Sequence, residues 1–303
     1  MPARDHRLMP FAAALLAIAV LSLMDATMKS ASLAIGAYST LLLRSFLNLA
    51  IIGPVWLAIR PEGPASSDAP SVVRLHITRG LVLTFMGLTF FWGLARLPLA
   101  EALALSFIAP LIALFLAALL LGETVERRAI HATLLGLAGV VLIALTRLEH
   151  SADPATDHPE AALGIAAILV SALLYAWNLV LQRQQAQVAA PAEVAAWQNL
   201  MVGLVLVLAA PWFLTWPDRS AWLMIAISGA LSLTGAMLFA WAYRRAEAQA
   251  LVPLEYTGFA WAALFGWLFF AETVRASVLA GAALIIVSCW LAAPRRRPEQ
   301  SVV

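Results

Sequence analysis

Long apolar runs alternate with short polar breaks along the whole of this chain. A helix rises about 1.5 Å per residue, so about 20 apolar residues cross the roughly 30 Å hydrocarbon core of a bilayer. The runs have this length, and the pattern therefore predicts ten membrane-spanning helices, called spans 1 to 10 below. In chain order the spans cover residues 11–29, 38–58, 75–95, 98–121, 128–147, 161–182, 194–214, 220–243, 248–270 and 276–293.

Composition supports the same fold class. Of the 303 residues, 63% are apolar and only 12% are charged, against about 25% charged residues in an ordinary soluble domain. A soluble protein of this length could not remove so much apolar surface from water. We therefore expect an all-α integral membrane protein that crosses a bacterial-type inner membrane several times. Its expected partner is the lipid bilayer, and no nucleic acid is expected to bind.

Basic side chains lie mainly on one side of the predicted membrane. If the N-terminus and every even-numbered turn face the cytoplasm, twelve of the 19 Lys and Arg residues lie on that side. Five lie on the opposite side, and Arg44 and Arg79 lie within spans. Loops rich in Lys and Arg stay in the cytoplasm, so both termini are predicted to be cytoplasmic.

The polar break near the middle of the chain prompts a search for an internal repeat. A shift of 149 residues aligns Trp92 with Trp241 and Arg96 with Arg245, and it gives eight identities in the 35 residues 91–125. It also places the sequence GETV of the first half on AETV of the second. These matches fall at the same ends of matching spans, so the two halves are predicted to be repeats.

Each predicted repeat contains five spans. Because five is odd, the second repeat enters the membrane from the opposite side, and such inverted-topology repeats recur in secondary transporters. The predicted organisation is a first five-helix repeat at 1–147, a periplasmic linker at 148–160, a second five-helix repeat at 161–293 and a cytoplasmic tail at 294–303.

Polar side chains line one face of span 6. Ser171, Tyr175, Asn178 and Gln182 follow one another at helical spacing and so share a face. Polar groups facing lipid are costly, and a charged side chain at the bilayer centre costs about 2.5–3.5 kcal/mol. The stripe is therefore expected to face a cavity, although contacts between helices are an alternative use of Ser and Asn.

Spans 1, 2 and 7 carry matching polar groups. Asp25 and Lys29 share one face of span 1, Arg44 and Asn48 share one face of span 2, and Gln198 lies near the start of span 7. One shared cavity would satisfy all of them. Two alternatives remain for span 1, because Asp25 and Lys29 could pair on their own helix, or Lys29 could extend to the membrane surface. Arg44 needs a partner, and Asp25 is the candidate.

Two spans are interrupted by proline. Pro110 lies in span 4, and Pro253 lies in span 9 just before Glu255 and Tyr256. Proline inside a membrane helix is tolerated where neighbouring groups or water satisfy the freed carbonyl. Interrupted helices at corresponding places of two inverted halves indicate a binding site. The alternative for Glu255 is an ion pair with the arginines that precede span 9.

The parts of common enzyme sites are missing from the sequence. It contains no HExxH, no GxSxG and no Walker loop, and Cys289 is its single cysteine. The five histidines fall in loops or at span ends. We therefore expect no enzymatic activity, no cofactor and no metal site.

Several segments resemble a known family. They are MDATMK, LRSF, ARLPLAEALALSFIAPLIALFLAALLLGET and AYRRAEAQALVPLEYTGFAWAALFGWLFFAET. With them the chain resembles the EamA branch of the drug/metabolite transporter (DMT) superfamily over essentially its whole length. The resemblance implies ten helices in two inverted five-helix repeats, a central cavity and alternating access without ATP. One departure is Ala271, which stands where the second Gly-Glu motif of the family usually has glycine.

The residues and the resemblance together indicate a secondary transporter of small organic metabolites, with export of amino acids or related compounds as the first hypothesis. An uptake carrier for riboflavin or S-adenosylmethionine-like metabolites is the alternative, and a membrane scaffold that transports nothing is a third. The proton is a candidate coupling ion, and the protein is expected to be a monomer or a weak oligomer. The predicted cavity residues are Asp25, Arg44, Asn48, Tyr175, Asn178, Gln198, Glu255 and Tyr256, with Pro110 and Pro253 at the helix breaks.

Overall fold

The computed structural model describes residues 5–59, 70–121, 127–151, 160–185, 187–245, 251 and 254–292. Helices and turns make up this part of the chain, and no strand occurs in it, which confirms the predicted all-α class. Five of these helices are long and apolar enough to cross a membrane, and four shorter apolar helices accompany them. The protein is therefore a multi-pass membrane protein, while the total of ten crossings stays a prediction.

The first helix contains both span 1 and span 2. At Gly36 its backbone has φ 81° and ψ 152°, a region that glycine enters without the steric cost of a Cβ atom. Gly36 thus divides the helix into two halves, each long enough to cross a bilayer once. In chain order the helices are α1 (Asp5–Ile59), α2 (Pro70–Leu94), α3 (Leu99–Ser106), α4 (Ala109–Leu121), α5 (Arg127–Ser151), α6 (Glu160–Gln185), α7 (Pro191–Val207), α8 (Ala210–Phe213), α9 (Arg219–Tyr243), α10 (Gly258–Phe270) and α11 (Ala276–Ala292).

Spans 4 and 9 are both interrupted. In span 4, a turn at Phe107 and Ile108 separates α3 from α4, and in span 9 a turn at Tyr256 and Thr257 precedes α10. Phe107 and Tyr256 are 149 residues apart, which is the offset that aligns the two halves of the sequence. Their rings meet edge to face with centroids 5.5 Å apart. The two helix breaks therefore lie beside each other in the structure.

A second feature occurs once in each half of the chain. The guanidinium of Arg96 lies 3.4 Å from the centre of the Trp92 ring, and its Nη1 donates to the Trp92 carbonyl at 3.1 Å. Arg245 does the same with Trp241, at 4.1 Å from the ring centre and 3.2 Å from the carbonyl oxygen. The two residue pairs that the 149-residue shift aligns thus have the same local geometry.

Close approach of glycines packs the helices. Helix α1 packs along α9, α2 along α6, and α5 along α11. A Cβ atom on Gly139 of α5 would lie 2.6 Å from the carbonyl oxygen of Gly281 on α11, and one on Gly281 would lie 2.8 Å from that of Gly139. Lipid supplies no hydrophobic drive between helices, so small residues that bring backbones together stabilise such crossings.

Candidate functional site

A cavity of about 480 Å³ lies among eight of the helices, within the range of about 300–1,000 Å³ that small-molecule sites occupy. Its lining comes from α1, α2, α3, α4, α6, α7, α9 and α10. The structure brings together seven of the residues that the sequence singled out. The seven are Asp25, Arg44, Pro110, Tyr175, Gln198, Glu255 and Tyr256.

Three of the predicted site residues are not part of this lining. Asn48 faces α9, where its side-chain amide donates to the Ser232 hydroxyl at 3.1 Å. Asn178 accepts a hydrogen bond of 2.9 Å from Nε of Arg79. Each of these two amides binds a polar group on a neighbouring helix, and a role for them in binding cargo stays a prediction. Pro253 lies outside the described residues.

The polar stripe of span 6 is shared between two environments. Ser171 and Tyr175 line the cavity, whereas Asn178 is buried one turn further along and Gln182 is exposed. The stripe was predicted to face one cavity along its whole length. A helical face about 11 residues long extends roughly 16 Å, so it passes beyond the cavity into a second buried network, described below.

Arg44 lies at the cavity wall with few polar partners of its own. Its Nη1 contacts the sulfur of Met24 at 3.3 Å, and its guanidinium lies 5.5 Å from the centre of the Phe91 ring. Within the described residues its buried Nε has no hydrogen-bond partner. A guanidinium presents a planar fork of donors that fits a carboxylate, so Arg44 has donors available for one.

Asp25 supplies the opposite charge in the same cavity. It lies on the first half of α1 and Arg44 on the second, and the two charges attract each other. Asp25 is partly exposed to the cavity, so its carboxylate can accept hydrogen bonds from a bound molecule. A cavity that presents two carboxylates, those of Asp25 and Glu255, and one guanidinium, that of Arg44, can orient a molecule that carries both charges.

Sequence reasoning missed the aromatic wall of the cavity. Phe90 and Phe91 of α2, Phe107 at the first helix break and Phe239 of α9 all line it. The adjacent pair FF in the last third of span 3 was a signal for some of them, although a phenylalanine in a membrane span is most often a lipid or packing contact. These rings surround the two charges with apolar surface.

A cluster of charges is buried at one end of the helices. Nζ of Lys29, which is only 4% exposed, donates to Oε1 of Glu272 at 2.5 Å and to the Leu97 carbonyl at 2.5 Å. The other carboxylate oxygen of Glu272 accepts from the backbone N–H of Leu99 at 2.7 Å. Nearby, Arg147 lies 3.7 Å from a carboxylate oxygen of Glu101. We call these five residues and Leu97 the Lys29 cluster.

The Lys29 cluster decides between the alternatives for span 1. Lys29 binds Glu272 rather than Asp25, and it does not extend to the surface. Glu272 also satisfies one of the free N–H groups at the start of α3, which has no side-chain cap of its own. A Cβ atom on Gly266 would lie 2.6 Å from Oε2 of Glu272, so the absent side chain leaves room for this carboxylate.

A different network is buried at the other end. Arg79 donates through Nη1 to Oε1 of Gln185 at 2.5 Å, and the Gln185 amide donates to Nδ1 of His76 at 2.5 Å. Nε2 of His76 lies 3.1 Å from Oε1 of Glu193. With Asn178, which accepts from Arg79, these residues form the His76 network. A neutral imidazole protonated on Nε2 satisfies every one of these bonds.

The two polar groups lie far apart along α2. His76 is near the start of this helix, and Leu97 follows its end by three residues. His76 and Leu97 are 21 positions apart, which corresponds to about 30 Å at the rise of a helix. The His76 network connects α2, α6 and α7, and the Lys29 cluster connects α1, α3, α5 and the segment between α10 and α11.

Comparisons with known proteins identify the family to which the chain belongs. A sequence model of the EamA-like transporter family matches residues 8–145 and again residues 162–293. The pseudopaline exporter CntI of Pseudomonas aeruginosa is 26% identical over 278 residues, which cover 91% of this chain and 93% of that protein. A chain of a solved crystal structure is 24% identical with a TM-score of 0.60, over 94% of this chain and 95% of that one, and this shows a shared fold.

Two further relatives are also transporters. A riboflavin transporter of Rhizobium johnstonii is 28% identical over 217 residues, which cover 70% of this chain and 67% of that protein. An S-adenosylmethionine uptake transporter of Rickettsia bellii is 26% identical over 212 residues, which cover 70% and 69%. With a family model that matches nearly the whole length, the chain belongs to the EamA-like transporter family of membrane transporters and is not an enzyme.

Proposed function

We propose that this protein is a secondary transporter that exports amino acids or related compounds by alternating access through the central cavity. The observation that carries the proposal is the presence of Asp25 and Arg44, two opposite charges, in a cavity that is otherwise mostly apolar and aromatic. An α-amino acid carries both an ammonium and a carboxylate at neutral pH, so both ends would find a partner of opposite charge.

Each residue has a separate role in the proposal. Arg44 binds the carboxylate through its guanidinium, of which Nη1 contacts only the Met24 sulfur within the described residues, and Asp25 accepts hydrogen bonds from the ammonium. Tyr175, Gln198 and Tyr256 orient the rest of the molecule through phenol and amide groups, and the aromatic wall contacts its side chain. The related pseudopaline exporter, similar over nine tenths of this chain, favours outward transport.

The proposed architecture is ten helices in two inverted repeats, with both termini cytoplasmic. Four observations support it: the two family matches, the break at Gly36 in α1, the paired turns at Phe107 and Tyr256, and the repeated stacking of Arg on Trp. One chain provides the whole cavity, so a monomer or weak oligomer suffices. Reporter fusions at position 155 should face the periplasm, and fusions at 66 and 300 the cytoplasm.

The function is tested by finding a cargo and then removing the charges that bind it. Metabolites of cells that overproduce or lack the protein are compared, and the compounds that differ are assayed for flux in liposomes. Replacing Arg44 by Ala should lower the flux of a carboxylate-bearing cargo by about ten-fold or more, because a charge-assisted pair is lost from a dry site. Arg96→Gln, which removes an arginine outside the cavity, is the matched control.

Two outcomes would contradict the proposal. An Arg44→Ala protein that transports at the wild-type rate would remove Arg44 from the site. A purified protein that moves none of the compounds found by profiling would favour the scaffold alternative. Uptake of riboflavin or S-adenosylmethionine is the second candidate, which the two relatives of those names support, and flux in vesicles of both orientations distinguishes it from export.

Proton coupling is a further part of the proposal. Glu255 lines the cavity and is exposed, and with Asp25 it is one of the two carboxylates there. Flux is measured with and without an imposed pH gradient, in wild type and in Glu255→Gln. A response to the gradient that Glu255→Gln abolishes supports Glu255 as the proton carrier. A response that the substitution leaves unchanged excludes this role.

A further inference from the structure

We propose that Lys29 and Glu272 form the gate that closes the cavity at the Lys29 end, and that transport requires this ion pair to break. The inference rests on the proposed alternating access and assigns the closure of one end to particular side chains. Both residues lie outside the cavity lining, and neither is needed to bind the cargo in the proposal above.

The pair joins three separate parts of the chain. Lys29 belongs to α1. Its ammonium donates to the carbonyl of Leu97, which precedes α3, and to the carboxylate of Glu272, which follows α10. Glu272 in turn binds the N–H of Leu99. Helices α1, α3 and α10 each supply walls of the cavity, so one ammonium and one carboxylate hold three of its walls together at this end.

Lys29 lies directly beyond the cavity. It follows Asp25 by four residues on the same helix, which places it one turn, or about 6 Å, further along the same face. Asp25 lines the cavity, whereas Lys29 is buried. The centre of the Phe270 ring lies 5.0 Å from Nζ of Lys29. Leu94, Leu97 and Leu99 belong to the apolar core at this end. The layer around Lys29 therefore separates the cavity from the outside.

The opposite end is not closed in this way. Glu255 and Pro110 of the cavity lining are exposed, and so is Tyr175. The His76 network joins α2, α6 and α7 and makes no bond across the cavity to α1 or α10 within the described residues. In the proposal, the cavity is closed at Lys29 and is reached past these exposed lining residues.

An ion pair is suited to a closure that must open. Its charges are stable in the closed state because each is paired, and in the open state water hydrates both. Apolar side chains in the same places would oppose opening, because separation would expose them to water. By the same reasoning, the close apolar packing of α5 on α11 at Gly139 and Gly281 is expected to stay in place during transport.

The experiment measures the accessibility of one cysteine. Cys289, the chain's only cysteine, is replaced by Ser, and Ala26→Cys is introduced. Position 26 is 2% exposed and lies on α1 between Ser22 and Lys29. A membrane-impermeant maleimide is applied to sealed vesicles of both orientations. Combining Lys29→Gln with Glu272→Gln removes both charges without adding an apolar side chain, and it should raise labelling from the side of the Lys29 end by about ten-fold.

A single variant and a control variant accompany the double change. Glu272→Gln alone retains an acceptor for Leu99 but leaves the buried Lys29 ammonium without a counter-charge in the closed state, so it should raise labelling more than the double change. Glu160→Gln breaks the exposed Arg96–Glu160 pair at the same end and should leave labelling unchanged. Unchanged labelling in a folded double variant, judged by its unfolding midpoint and gel filtration, overturns the gate. The readout needs no cargo, so it is independent of what the protein transports.

Discussion

The two ends of the helices bury polar groups in different ways. The His76 network combines one histidine, two amides, Arg79 and Glu193 on three adjacent helices, and a neutral imidazole satisfies its bonds. The Lys29 cluster consists mainly of charged groups on α1, α3, α5 and the segment between α10 and α11. The first arrangement fixes neighbouring helices to one another, and the second holds parts together that can be released.

The difference has a physical cause. Arg79 and Glu193 of the His76 network bind neutral amide and imidazole groups, whereas Lys29 and Glu272 bind each other, so each of these two ions depends on a partner of opposite charge. At the His76 end the ring of His76 also stacks on Trp197, with centroids 5.1 Å apart and planes 6° apart. This contact adds packing that does not depend on charge. We therefore expect substitutions of equal size to have larger effects at the Lys29 end.

The largest effect is expected when one partner of the buried ion pair is removed. Glu272→Ala leaves the Lys29 ammonium without a counter-charge and the Leu99 N–H without an acceptor, which should cost about 3–5 kcal/mol in the free energy of unfolding. Glu193→Ala at the other end removes one acceptor from His76 and should cost about 1–3 kcal/mol. Unfolding in detergent, followed by tryptophan fluorescence, measures both.

A second substitution tests the cause of the loss. Adding Lys29→Met to Glu272→Ala removes the orphaned charge, so the double variant should be more stable than Glu272→Ala alone. Glu160→Ala, at an exposed ion pair, is the control and should have little effect. Equal losses for Glu272→Ala and Glu193→Ala would mean that charge does not distinguish the two ends.

A smaller effect is expected where a methyl group is added beside Glu272. In Gly266→Ala the new Cβ atom would lie 2.6 Å from Oε2 of Glu272, so the carboxylate must leave the Leu99 N–H. We expect a loss of about 1–3 kcal/mol and increased labelling of Ala26→Cys. Gly53→Ala, with no atom closer than 3.8 Å to its added Cβ, should be neutral or slightly stabilising.

The all-α class and the place of the cavity were predictable from the sequence. Runs of apolar residues report helix length directly, and an interior charge such as Asp25 or Arg44 must face a cavity or a partner. Proline also predicts helix breaks from sequence alone, because it lacks a backbone N–H. Pro110 accordingly lies beside the turn at Phe107. These properties belong to single residues or to short stretches of chain.

Pairing across the structure could not be predicted in the same way. Lys29 is four residues from Asp25 and 243 residues from Glu272, and helical spacing favours the near partner. Asn178 lies on the stripe that includes Tyr175, yet it binds Arg79 on another helix. Which of two polar partners is chosen depends on how far each helix extends past its neighbour. The position of one helix along another is a property of the tertiary structure, and the residue spacing within a single span does not indicate it.

A stabilising change is expected at Ala271, beside Glu272. This residue ends α10 with φ 53° and ψ 29°, a left-handed conformation that costs a residue with a Cβ atom about 1–2 kcal/mol. Ala271→Gly should therefore raise the free energy of unfolding by about 1 kcal/mol. Ala260→Gly, inside the same helix, should lower it by about 0.5–1 kcal/mol. A loss of stability in Ala271→Gly would show that the methyl group makes a contact worth more than the strain.

The smallest effect is expected at an exposed charge near the Lys29 end. Asp218 caps α9, where its carboxylate accepts the N–H of Ala221 at 2.8 Å and the Ser220 hydroxyl at 3.0 Å. The Ala221 N–H, followed by the Ser220 hydroxyl, lowers the pKa of Asp218 below its usual value of 3.8. The ionised form is therefore stabilised by folding. This contribution is present above the usual pKa and is lost as the pH falls through the lowered one.

Two substitutions at Asp218 separate the cap from the charge. Asp218→Ala removes the acceptor and should lower the unfolding midpoint slightly at neutral pH, while Asp218→Asn keeps an acceptor at the cap and should lower it less. The difference between wild type and Asp218→Asn should be present at neutral pH and should disappear as the pH falls through the lowered pKa of Asp218, because the wild-type carboxyl then becomes protonated. Water screens this charge, whereas the Lys29 pair is buried. A loss in Asp218→Ala as large as that in Glu272→Ala would contradict the view that burial sets the size of these effects.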